Sequence, residues 1–531
     1  MLNLLLFSCA RVGAPNGGTR DSLAPKFLGS NIDTTRLNVS RTVKELRLDF
    51  DEYVMLKDFN KNFNVSPPIK KIKKVIPSNL ANKYVLIQWE DTLQANTTYN
   101  FNFGNAIVDN NESNPLPYFN FAFSTGDKID DLFVSGTVKD AMTLIKENQT
   151  AKDNKMVVGL YKAGENLDYK QKPDYITKVD EENYFELNFL PKGEFVIIAF
   201  DDENQNSVYD AGKEKVSFLK EKITLDSTSV RGLKLKLYPS KKVVKYKESK
   251  AINGGLLMTF EGNPETVDVK SLSEDLKDFK VTHAKRSDSV NIWFDAEKSN
   301  LGGTVSKQVK LSYFTPTISD TISVSYKAVK DEFKLSNEAG NLIAPENNFV
   351  INTSLPIENL NTSSWKLESD SIAQDFTAKV SEKNPFKILV NSSFKPTKKY
   401  VLTIPKETVS SYYSSNDKSF QFQFEIDKPE NYGSFTAVIK NKPTAKFWVE
   451  LTNEKGEILY SQFTNASEVS FKNLKPATYI ARIRVDNNGN GFWDEADFAQ
   501  NIAAEDVYIF EKEINVRPLW EIKEDWELTN H

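Results

Sequence analysis

The sequence predicts an all-β, multidomain chain of tandem β-sandwiches, and three observations predict it. Apolar and polar residues alternate in many short runs, among them Tyr99-Asn100-Phe101-Asn102-Phe103 and Leu233-Lys234-Leu235-Lys236-Leu237. That period of two puts one face of each strand in a core. A strand followed by an oxygen-rich loop occurs twice at a single offset. The 531 residues exceed what one hydrophobic core can organise. No long run at helical period interrupts the pattern.

Composition narrows the function classes. The net charge is −5, from 68 basic and 73 acidic residues without long blocks of one sign, so nothing electrostatic points to nucleic acid. One cysteine, Cys9, and two histidines, His283 and His531, leave no material for zinc fingers, disulfide frameworks or thiol–imidazole catalysis. A Ser–His–acid triad would need His283, in Val281-Thr282-His283-Ala284, which reads as a surface histidine.

The chain opens with Met1-Leu2-Asn3-Leu4-Leu5-Leu6-Phe7-Ser8-Cys9. This apolar run falls short of the about 20 residues that span a bilayer and reads as the end of a secretory signal. A Gly-rich tether follows, through Arg20. Segment 1–21 is therefore expected to be signal remnant and tether.

Segment 22–127 reads as a sandwich: Leu46–Phe50, Val85–Trp89, Tyr99–Phe103 and Phe119–Phe123 as strands, with turns at Pro67-Pro68 and Asn110-Asn111. Segment 128–240 begins at Phe133-Val134-Ser135-Gly136-Thr137-Val138 and closes on Leu233–Leu237. The basic run Pro239–Lys247 is read as a solvated linker. Leu256–Phe260, Val290–Phe294 and Ile322–Tyr326 are strands of a third sandwich, 241–338. A fourth, 339–428, carries Phe394–Ile404 and Phe420–Phe424, which echo Leu93–Phe103 and Phe119–Phe123. The last, 429–531, repeats the order of the second: Phe435–Ile439, Phe447–Leu451, then strand and loop.

The duplication is explicit. Leu190, Phe195, Asp202, Asn204, Asn206 and Asp210 reappear as Leu474, Tyr479, Asp486, Asn488, Asn490 and Asp494, since 474 − 190 and 494 − 210 are both 284. In the second copy Asp486, Asn488, Asn490, Asp494 and Asp497 fall at positions one, three, five, nine and twelve. Gly491 stands at six, and the Phe492 carbonyl is at seven. Alternate oxygens in a tight loop suit Ca²⁺, with a residue free to take positive φ at six. Two Asn in place of Asp would give an affinity of about 10⁻⁴–10⁻³ M, as in extracellular modules. The first copy has Asp202, Asn204, Asn206 and Asp210, but Ser207 at six and Lys213 at twelve, with Glu214 one place further on. An Asx-rich turn without metal is the alternative for both. Any metal here is expected to be structural, because a catalytic site needs an open position and a nearby base.

Several of these residues carry resemblances. Leu6-Phe7-Ser8-Cys9 resembles a bacterial lipobox, which implies lipidation of Cys9. Leu48–Val54, Val65-Ser66-Pro67-Pro68, Leu93–Tyr99, Ile107–Asn110 and Phe121–Thr125 resemble, in order, the bacterial Ig-like domain named after the S-layer protein SbsA. The second and last segments look like the transthyretin-like or carboxypeptidase-regulatory sandwich, with Lys192 intervening between Pro191 and Gly193 of its turn. The loop resembles those of EF-hands and dockerins, with a strand leading in. The whole layout is similar to Ig-like-domain lipoproteins of Bacteroidetes, and implies an outer-membrane-anchored envelope protein with no catalytic residue to carry over.

Three functions compete: an envelope scaffold or adhesion protein whose partners are envelope proteins or glycans, a glycan- or polymer-binding protein using Trp493, Tyr412 and Tyr413, and a carboxylate hydrolase. The adjacent acids Asp51–Glu52 and Glu524–Asp525 point to opposite faces of their strands, which disfavours the hydrolase. The expectation is a non-catalytic scaffold.

Overall fold

The computed structural model describes residues 21–144, 155–164, 167–329, 332–338 and 340–528. Cys9, its apolar lead and the tether lie outside these residues, as does His531. Apart from the short turns Phe59–Asn62 and Pro429–Asn431, the regular structure described is strand throughout, in an all-β, multidomain sandwich architecture. No helix among the described residues is long and apolar enough to cross a membrane. The chain divides into two compact units, one of residues 21–139, 155–210 and 216–237, the other of 140–144, 211–215 and 238–528.

The first unit holds two sandwiches. In the first, Phe27–Ser30, Glu45–Leu56, Asn82–Trp89 and Ile72–Ile76 form one sheet in that order. Asn64–Ser66, Thr98–Gly104 and Phe119–Ser124 form the other. Alternation decides what is buried: Leu46, Leu48, Phe50, Val85, Ile87, Phe101, Phe103, Phe121 and Phe123 share one core. In the second sandwich, Tyr175–Lys178, Met156–Lys162, Gly193–Asp201 and Val216–Phe218 face a sheet of Tyr184–Leu190, Leu132–Asp140 and Val230–Leu237.

The second unit holds three cores, centred on Leu256–Tyr326, Phe333–Ile426 and Phe435–Leu528, with Trp293 of the third stretch packed into the fourth core. The last sandwich repeats the strand order of the second. Ile458–Thr464, Phe447–Thr452, Ala477–Val485 and Val507–Val516 form one sheet, and Glu468–Leu474, Gly433–Lys440 and Glu521–Glu527 the other.

The echo between the first and fourth sandwiches extends to register and hydrogen bonding. Tyr99 pairs with Phe123 and Tyr400 with Phe424, at identical separations of 24 (123 − 99 and 424 − 400). Each tyrosine hydroxyl accepts the backbone N–H five residues earlier, Gln94 in one and Lys395 in the other, both at 2.8 Å. Burying the ring while the hydroxyl closes the turn satisfies both ends of an amphipathic side chain.

Two expectations need correction. The basic run Pro239–Lys247 is not a solvated linker throughout. Lys245–Lys247 begin the strand Lys245–Ile252, because Val244 and Tyr246 pack on the third core while Lys245 and Lys247 are exposed. Ser240 is buried and bridges Ala496. His283 is a half-buried strand residue whose Nε2 lies 3.0 Å from the Ser287 carbonyl, since the strand Lys280–His283 pairs with Ser289–Trp293, whose Val290, Ile292 and Trp293 are buried.

Candidate cation loops and the face beside them

Each loop hangs from the central strand of its sheet, and the two strands are superposable by pairing. Phe200 pairs with Val216 in the second sandwich and Arg484 with Val507 in the last. Buried Leu190 and Leu474 begin the motif, and Phe195 and Tyr479 fill the same place in their cores. The chain returns seven residues later in the last sandwich, since 507 − 484 exceeds 216 − 200 by that amount.

The loops share one backbone conformation. Gly491 at position six has φ 82° and Gly489 φ 71°, while Ser207 and Gln205 take φ 61° and 57° in the first copy. Both first aspartates, Asp202 and Asp486, are buried. Each folds back on its own loop. Asp486 accepts the N–H groups of Asn490 and Gly491, both at 3.0 Å, and Asp202 those of Asn206 and Ser207, also at 3.0 Å. The Asn488 and Asn490 side-chain oxygens accept the N–H groups of Asn490 (3.0 Å) and Phe492 (2.7 Å), matched by Asn204 to Asn206 (3.0 Å) and Asn206 to Val208 (2.6 Å). The Asn204 amide donates to Asp210 at 2.6 Å and the Asn488 amide to Asp494 at 2.5 Å.

The surroundings of the second loop come from further away. Asp494 accepts Asn490 at 2.7 Å on one oxygen, and its other oxygen meets Arg286 of the third sandwich at 2.8 Å. Arg286 also binds Glu265 at 2.5 Å and lies over the Phe492 ring at 4.6 Å. Buried Glu505 accepts the N–H groups of Asn488 (3.1 Å) and Asp494 (2.9 Å). Asp497 instead accepts Gln500 at 3.1 Å, in a turn of its own. Glu505 was missed in the sequence because it lies beyond the seven-residue insertion. The signal was its place two residues before the returning strand, which buried Glu214 shares in the first copy.

Burial would raise the Asp494 carboxyl. The Asn488 and Asn490 amides and the Arg286 guanidinium outweigh it and hold the group below the usual carboxylate value. Burial pushes Glu505 upward despite its backbone donors. Among the described residues, no three His, Cys, Asp or Glu side chains converge on one point. Each loop's oxygen set is therefore part amide. Asp494 Oδ2 already accepts both the Asn488 and Asn490 amides, but Asp494 Oδ1 and the oxygens of Asp486, Asn488 and Asn490 each keep a lone pair beyond the bonds above, and with the Phe492 carbonyl they fit a hard cation of low site charge.

Beside the second loop, the outer face of its sheet is ionic and aromatic. Glu450 is fully buried (0% exposed) between Arg482 (7%) and Arg484, bound to Arg482 Nε at 2.9 Å and Nη2 at 2.7 Å, and to both donors of Arg484. On the same strand as Glu450, Trp448 stacks on Phe463 of the next strand out, with centroids 4.4 Å apart. A cleft of 470 Å³ opens between Phe463, Ala445, Lys446 and the loop residues Asp486–Gly489 and Gly491. The three aromatics expected to meet a ligand are otherwise engaged. Trp493 donates to the Glu505 carbonyl at 3.1 Å and lies under Arg484. Tyr412 and Tyr413 pack on the fourth core, beneath Lys280 and bonded to Asp278 respectively.

Residues 21–125 match the family described as bacterial Ig-like domain. No curated protein matches the chain. Among solved structures, the surface layer protein SbsC, domains 1–6, aligns with 93% of this chain and 67% of its own at 12% identity and a TM-score of 0.16. The Bacteroides ovatus SGBP-B from a mixed-linkage glucan utilization locus, solved with a mixed-linkage heptasaccharide, aligns with 73% of this chain and 94% of its own at 9% identity and a TM-score of 0.19. For BcpA, the major pilin subunit of Bacillus cereus, the values are 75%, 99%, 11% and 0.14. At such TM-scores these alignments carry no functional weight.

Proposed function

We propose that the chain is a non-catalytic cell-envelope scaffold or adhesion protein, held to the outer membrane through lipid on Cys9. The observation that carries this reading is the series of apolar cores, each built almost wholly from one continuous stretch of chain, with an Ig-like domain at the head of the series. Such modules present loops for contact with envelope proteins or glycans. Cross-linked pull-down from intact envelopes should recover a stable partner; recovery of the chain alone would contradict a scaffold. Replacing Cys9 with Ser should move the protein from the membrane to the soluble fraction, and unchanged fractionation would remove the lipid anchor.

In this reading Ca²⁺ orders the loops and stabilises the folded modules by linkage, without taking part in chemistry. Asp486, Asn488, Asn490, Asp494 and the Phe492 carbonyl would hold it in the last sandwich, and Glu505, which binds the N–H groups of Asn488 and Asp494, would take the role expected of Asp497. Asp202, Asn204, Asn206 and Asp210 would form the weaker site.

A further inference from the structure

We infer that the cleft on the outer face of the last sandwich binds an acidic pyranose glycan, one bearing uronate carboxylates. Phe463 is 44% exposed and is held flat by Trp448 beneath it. A rigid aromatic face open to water is a surface against which the C–H face of a sugar ring can desolvate. Cross-strand pairing alone stabilises a sheet edge, but it needs neither the exposure nor the cleft.

The polar wall supplies the rest. Asn487 lines it with an amide that also donates to Asp506 at 3.2 Å, and Gly489 and Gly491 leave the backbone uncovered by side chains. Lys446 is exposed, its ammonium 5.6 Å from the Phe463 centroid, and no carboxylate pairs with it among the described residues. Asp486, the one acid lining the cleft, is buried, with both oxygens turned onto the N–H groups of its own loop. The cationic charge offered to a ligand by the cleft lining is thus that of Lys446, whose ammonium lies over the ring on which a sugar would stack and is free to turn toward it. A carboxylate on that sugar is its complement.

The duplicated module supports the assignment by contrast. The positions equivalent to Trp448, Arg482 and Arg484 are Val157, Ile198 and Phe200, all buried, so the fold does not itself require a cleft there.

Saturation-transfer NMR on the full chain with trigalacturonic acid, and with cellotriose as the neutral counterpart, tests this directly. Ring-proton signals are expected from trigalacturonic acid, lost in Phe463→Ala and at least tenfold weaker in affinity in Lys446→Met. Tyr118→Ala, an exposed aromatic of the first sandwich, should leave them unchanged. No signal from trigalacturonic acid, equal affinity for cellotriose, or undiminished binding in both cleft variants would overturn the assignment. Lys446→Met changes a solvent-exposed residue, so it remains informative should Phe463→Ala perturb the edge strand.

Discussion

The second and last sandwiches share strand order, central-strand motif and loop conformation, yet they treat the outer face of that strand in opposite ways. In the second, Val157, Ile198 and Phe200 are buried, and Gly159 lies against Pro173. In the last, the equivalent places hold Trp448, Arg482, Arg484 and Glu450. The inner face is constrained by a shared core, because alternate residues must fill it. The outer face is free to diverge, and in the last module it has acquired a buried ion-pair cluster and an aromatic shelf. The loop follows the same rule: its Asp and Asn bonds are duplicated, while Glu505 and Arg286 add partners from outside the loop.

The largest effect should come from breaking the ionic face. Glu450→Ala leaves Arg482 buried without a partner, which costs about 3–5 kcal/mol. Denaturant unfolding should show the last sandwich melting early. In the second module, Gly159→Ala would push a Cβ to 2.4 Å from Pro173 and should cost about 1–3 kcal/mol by overpacking. Equal tolerance of both changes would erase the contrast between the faces.

The loops are distinguished by smaller changes. Gly491→Ala places a side chain at φ 82° and should destabilise by about 1 kcal/mol. Ser207→Gly relieves the same conformation at φ 61° and should be neutral or stabilising by up to about 1 kcal/mol, although the unfolded glycine chain offsets part of the gain. A destabilising Ser207→Gly would mean that the serine side chain itself holds the first loop.

The smallest effects are those of pH. Asp494 is lower in the folded state than its unfolded value of about 3.9. Its stabilisation is therefore complete above that value and is lost as pH falls through the folded pKa. Glu505 is raised, so its contribution has the opposite sign: present in acid, lost as pH climbs through its folded value. Removing each carboxylate in turn (Asp494→Asn, Glu505→Gln) and comparing stability between pH 3 and pH 7 should shift the profile in opposite directions. Matching shifts would refute the separate surroundings assigned to the two acids.

Much of this architecture was legible in the sequence. Alternation located strands such as Tyr99–Phe103 because a half-buried sheet allows little else, and the 284-residue offset exposed the duplicated loop. What stayed hidden depends on distance or insertion. Glu505 sits past extra residues that break the offset, and Arg286 reaches Asp494 from another sandwich. Glu450, Arg482 and Arg484 occupy the polar phase of their strands, where charge ordinarily signals solvent, and only their mutual pairing explains their burial. Tyr246 was lost inside a lysine-rich run whose alternation was masked by its charge.

The most direct test of the two-loop account is thermal unfolding of the full chain with millimolar Ca²⁺, compared among the wild type, Asp202→Ala and Asp486→Ala. The account predicts a calcium-dependent rise in melting temperature that Asp486→Ala largely abolishes and Asp202→Ala reduces less. An unchanged melting temperature in calcium, or a rise that survives Asp486→Ala intact, would contradict it.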